Sequence, residues 1–122
     1  MIRSLDGIAP RVHPTAFVSE FAYVIGDVEI EEGASIWPGA QVLADGGLVI
    51  IGKYACVQDN SVVHGESGVV IGERVVIGHL ALCDAKSVGD RVLIGSGSKV
   101  NSGVEIGEDS LIASGAAVPE NM

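Results

Sequence analysis

From residue 12 to residue 42 the chain reads VHPTAFVSEFAYVIGDVEIEEGASIWPGAQV, and the spacing within this stretch decides the fold. Val12, Val18, Val24, Ile30, Ile36 and Val42 return at every sixth position. Ala16, Ala22, Val28, Ala34 and Ala40 follow the first five of them, four places behind. A period of six matches neither the about 3.6 of an amphipathic helix nor the about 2 of a simple strand. It is the period of a parallel β-helix, in which one hexad makes a short strand and turns one corner of a prism.

The inward phase continues through 51, 57 and 63, then 71, 77 and 83, then 88, 94, 100, 106, 112 and 118, giving 18 positions in all. Three strands per triangular coil predict six coils in a single all-β domain spanning 1–122. Their faces are A (12, 30, 51, 71, 88, 106), B (18, 36, 57, 77, 94, 112) and C (24, 42, 63, 83, 100, 118). Parallel rungs about 4.8 Å apart make a prism roughly 29 Å long.

Composition agrees with a thin core. Aromatic residues are 4% of the chain and Gly numbers 17, so small aliphatic side chains fill the prism and Gly is expected at its corners. The net charge of −9 argues against a nucleic-acid surface, which needs clustered Lys and Arg. No apolar run approaches the ~18 residues of a membrane span, and Met1-Ile2-Arg3-Ser4-Leu5-Asp6 lacks the apolar segment of a signal peptide. The expectation is a cytoplasmic protein with neither membrane nor nucleic acid as partner. Two cysteines are too few for a disulfide framework; the phase puts Cys83 inward and Cys56 at a corner, both reduced.

The breaks in the rhythm are as informative as the rhythm. The steps 42 to 51, 63 to 71 and 83 to 88 depart from six, and all three leave face C on successive coils. Insertions at one corner of a regular scaffold mark a functional edge, although a merely tolerant corner would collect them too. Immediately after the inward positions of face C stand Leu43, His64, Asp84 and Asn101, so His64 and Asp84 should lie one rung apart. Asp45 belongs to the loop one coil earlier. On face B, Gln58 and Asp59 follow Val57, Trp37 lies below Gln58, and His79 follows Gly78 one coil further. His64 and Asp84 are thus a corner away from His79. One ion with bonds of about 2.0–2.2 Å can join them only if His79 comes from a second copy, as in a three-fold ring. His13, in a column with no other titratable group, reads as an ordinary surface residue.

The run Ser35-Ile36-Trp37-Pro38-Gly39-Ala40, with Val57-Gln58-Asp59-Asn60-Ser61-Val62-Val63-His64 and Ile77-Gly78-His79, resembles the γ-class carbonic anhydrases over nearly the whole chain. The resemblance implies a left-handed β-helix homotrimer of the hexapeptide-repeat superfamily. It implies a zinc ion at each subunit interface that activates water for attack on CO₂, with CO₂ and bicarbonate as the small-molecule partners. His64 and His79 match two ligands, and Asp84 stands where the third histidine is expected, five places after His79. Gln58 matches the residue that orients the bound water. Asp45 matches the acid of an Arg-Gly-Asp segment whose arginine is here Leu43, and Asp59 belongs to the Gln-Asp-Asn motif. Family members continue into a helix along the prism; this chain reads to Val118-Pro119-Glu120-Asn121-Met122 as the sixth coil closes, so that helix is expected to be absent.

Both departures alter the chemistry. An anionic ligand donates more charge to zinc, so bound water is less acidic, and two histidines with one carboxylate also suit Fe(II). Losing the arginine removes a charged partner for Asp45. Three functions follow: a metal-dependent hydratase with Zn or Fe; a non-catalytic trimeric scaffold that kept the fold; and a hexapeptide acyltransferase with one histidine as general base.

Overall fold

In a strand of two or three residues, alternation leaves one side chain facing inward, and burying an aliphatic one there contributes about 1.5–3 kcal/mol. The computed structural model, which describes residues 1–122, shows that pattern repeated along the chain. Its 17 strands, most of two residues, include no helix among them. They wind into a left-handed parallel β-helix of about six turns. All three expected columns form. On face A, Val12 pairs with Ile30, Ile30 with Ile51, Ile51 with Ile71, Ile71 with Val88 and Val88 with Ile106. Face B runs Val18, Ile36, Val57, Ile77, Ile94, Ile112, and face C runs Val24, Val42, Val63, Cys83, Val100, Val118.

Face B is a six-stranded sheet by itself, whereas A and C merge into one of 11 strands. They merge because strands Tyr23–Ile30 and Gln41–Ile51 run on through the corner between them. The loop expected around Asp45 is therefore a bent strand. Its extra residues are taken up where the pairing shifts between Gly26 and Val28, while the backbone ladder continues on either side. The next insertion stacks closely on it: a Cβ on Gly46 would strike the carbonyl of Glu66, and one on Gly47 the carbonyl of Ser67.

Three features depart from the sequence reading. Strand Ile2–Arg3 pairs with Val24 and Ile25, adding a rung to face C that lies outside the hexad rhythm. Cys56 points outward from strand Cys56–Val57 instead of sitting at a corner, because its neighbour Val57 takes the inward position. The corners are not reserved for Gly. Tyr54, Arg74, Leu80 and Arg91 adopt φ of 56–59°, each held by an N–H donated to the coil below, at Glu32, Lys53, Asp59 and Glu73. That bond offsets a left-handed cost of about 1–2 kcal/mol.

The core comprises 27 buried aliphatic, alanine and cysteine residues and no aromatic ring. Its few polar side chains are bonded: Ser61 and Ser98 each donate to a carbonyl, of Gln58 and Gly95, at 2.6 Å. No buried side-chain nitrogen or oxygen lacks a partner. Cys83 is fully buried, and that burial pushes its thiol pKa up to about 11.

Candidate metal centre

Val63 pairs with Cys83, so His64 and Asp84, the residues after them, leave face C on successive coils. His64 Nδ1 lies 3.1 Å from Asp84 Oδ1. Asp45 reaches up from the bent strand, its Oδ1 2.7 Å from His64 Nε2. The hydroxyl of Ser102 donates to the remaining oxygen of Asp84, Oδ2, at 2.9 Å. Leu43 pairs directly below His64.

His64 and Asp84 are half-buried, Asp45 is exposed, and the three charges act on one another. Partial burial is the largest single influence on His64 and disfavours the charged ring. Hydrogen bonds to Asp45 and then Asp84, with the charges of both, outweigh it, and the pKa rises above the ordinary 6.5. An imidazolium donates from both ring nitrogens, which suits a ring set between two carboxylates.

His79 belongs to a different surface. It follows strand Val76–Ile77 on face B, with Nε2 3.7 Å from Asp59 Oδ1. Trp37, Cys56, Gln58, Asp59 and His79 line one shallow depression. The indole of Trp37 donates to Ser35 Oγ at 3.0 Å and packs on Phe17, with centroids 5.2 Å apart, yet Trp37 stays 40% exposed. Of the expected site residues, the structure unites Asp45, His64 and Asp84, and separately Gln58, Asp59 and His79. Within the chain no three His, Cys, Asp or Glu side chains converge as a metal site.

Ser102 escaped the sequence reading. Hexad counting pointed to Asn101 as the residue above Asp84, but the Asn101 amide turns away and donates to the carbonyl of Val118 at 2.7 Å. The only signal was a hydroxyl one place along. His13 also differs: Val12 pairs with Ile30, so Glu31 does share its column, and its ring is tied to Thr15.

The donor set fits half of a zinc site. Two ligands on a tetrahedral ion with bonds of about 2.0–2.1 Å stand about 3.3 Å apart. The His64 Nδ1 to Asp84 Oδ1 separation of 3.1 Å is close to that edge. Asp45 already accepts at Nε2, the arrangement that fixes the tautomer of a ligating histidine. The set would need at least one more ligand from outside the chain.

A family profile described as "Bacterial transferase hexapeptide (six repeats)" matches residues 86–119. The crystal structure of a hexapeptide transferase family protein from Anaplasma phagocytophilum superposes with a TM-score of 0.94 at 34% identity, covering 98% of this chain and 72% of that one. Fold and repeat together define a hexapeptide-repeat solenoid. The chain belongs to the hexapeptide-repeat family. It is 40% identical over 121 residues to "Gamma carbonic anhydrase 1, mitochondrial" of Arabidopsis thaliana, covering 93% of this chain and 44% of that protein. It is 38% identical over 112 residues to "Carnitine operon protein CaiE" of Escherichia coli, covering 90% of this chain and 57% of that protein. The chain thus spans about half the length of these curated relatives. No helix in it is long and apolar enough to cross a membrane.

Proposed function

We propose that the chain assembles as a homotrimer whose interfaces each hold a zinc ion, with Fe(II) as the alternative, between His64 and Asp84 of one chain and His79 of the next, for hydration of CO₂. One observation carries this reading: ligand-type side chains are divided between two faces, His64 and Asp84 in contact at 3.1 Å on one and the exposed His79 a corner away. Similarity to a protein named gamma carbonic anhydrase supports the same reaction.

A bound divalent ion supplies a Lewis acid that makes water nucleophilic near neutral pH. His64 Nδ1, Asp84 Oδ1 and the imported His79 would hold it. Asp45 would accept a hydrogen bond from His64 Nε2–H and so fix the ring. Asp59, 3.7 Å from His79, would help to orient that ring, and the carboxamide of Gln58, in the same depression, would orient the attacking water. Because Asp84 is anionic where a third imidazole would be neutral, the reaction needs a higher pH than a three-histidine site.

A second reading has an observation of its own. Asp45, His64, Asp84 and Ser102 form a hydrogen-bonded cluster that is satisfied without any ion, as expected of a structural scaffold.

Subunit mixing separates the two. Purified wild-type protein should carry about one metal per chain, and His64→Ala and His79→Ala should each carry almost none. Co-refolding those two variants rebuilds intact interfaces at about a quarter of the sites by random assembly, with metal and hydration activity returning in proportion. Metal-free wild type, or variant mixtures that recover nothing, would favour the scaffold.

A further inference from the structure

Each oxygen of Asp84 has its own partner: Oδ1 faces His64 Nδ1 at 3.1 Å, and Oδ2 accepts from Ser102 Oγ at 2.9 Å. No other side chain hydrogen-bonds Oδ2, because Asn101, the next residue in the column, is committed to Val118. A histidine offers a metal one nitrogen, whereas a free carboxylate offers two oxygens and shifts between one-point and two-point binding. Resting on the interfacial metal site proposed above, we infer that Ser102 is a positioning residue that makes Asp84 a one-oxygen ligand. By occupying Oδ2 it holds Oδ1 toward His64 and lets an acid do the geometric work of an imidazole.

The geometry favours this over a purely structural role for the serine. Ser102 lies after strand Lys99–Val100, one coil beyond Asp84, and its side chain makes no other hydrogen bond. It is half-buried at the surface, so removing its hydroxyl leaves no orphaned group in the core. Without it, Oδ2 would be free to reach a bound ion as a second donor oxygen.

Cobalt(II) reads that number directly, since four-coordinate cobalt absorbs visible light several-fold more strongly than five- or six-coordinate cobalt. The probe is cobalt(II) chloride titrated into the chelator-treated, assembled protein. Wild type should show the intense four-coordinate bands. Ser102→Ala should bind about 10–100-fold more weakly, the range for losing a hydrogen bond to a ligand, with bands weakened several-fold. Ser102→Thr, which keeps the hydroxyl, should restore both. A Ser102→Ala protein with wild-type affinity and spectrum overturns the role of Ser102 and leaves the metal site standing. Wild type that takes up no cobalt overturns the metal site and the positioning role together. Circular dichroism of the variant, unchanged from wild type, guards against misfolding.

Discussion

His64 Nε2 sits 2.7 Å from Asp45 Oδ1, although the two residues are 19 apart in the chain and lie on different coils. With Asp84 at the other nitrogen, the ring is gripped from two successive levels of the prism.

That grip gives the metal-free protein a pH dependence. The pKa of His64 is higher folded than its ordinary 6.5, so the folded state holds the proton more tightly. The resulting stabilisation is complete below 6.5 and is lost as pH rises through the folded value. Chelator-treated protein should melt at a lower temperature once the pH passes that window. The Asp45→Asn, Asp84→Asn double variant should lack the dependence. A ring-proton NMR titration placing His64 at or below its ordinary value would contradict it.

Metal binding should respond in the opposite sense. The ligating nitrogen must shed its proton, so apparent zinc affinity falls as pH drops through the His64 pKa, and calorimetry in buffers of different ionisation enthalpy should show proton release.

Asp84→His should make the bound water more acidic by removing an anionic ligand. The hydration profile is expected to move about one pH unit lower, giving about tenfold more activity at pH 7. An unmoved profile would mean that Asp84 does not touch the ion.

The scaffold beneath the site can be tested apart from its chemistry. Ile77 is fully buried two residues before His79. Ile77→Ala should cost about 2–5 kcal/mol, read as a lower urea midpoint.

Gly46→Ala places a methyl against the carbonyl of Glu66 and wedges apart the two stacked insertions that carry Asp45 and His64. A loss of about 1–3 kcal/mol is expected, together with weaker metal binding. A variant as stable as wild type would show that the insertions separate freely.

The hexads made the three inward columns readable, because a solenoid repeats one packing problem and each coil repeats the answer: Val57 over Ile36, Ile77 over Val57. The adjacency of His64 and Asp84 followed from the same arithmetic. What the arithmetic missed lies off the repeat. Strand Ile2–Arg3 is ten residues before Val12 and keeps no hexad phase with it, so only the free edge of Val24 and Ile25 reveals its place. The path of 43–50 depends on a register shift at Gly26 that residue spacing does not encode. Counting put Asn101 above Asp84, but a side-chain rotation toward Val118 handed the contact to Ser102. Leu80 and Arg91 turn corners where Gly was expected, because a coil-to-coil hydrogen bond outweighs local preference.

Cys83 gives the molecule a built-in gauge. The thiol is sealed directly inward of Asp84 and, with a pKa of about 11, is almost wholly un-ionised at neutral pH. An alkylating reagent can reach it only when that storey of the tower springs open. The rate at which Cys83 is labelled therefore clocks how often the floor under the His64 cluster breathes, and an ion clamped above it would slow the clock.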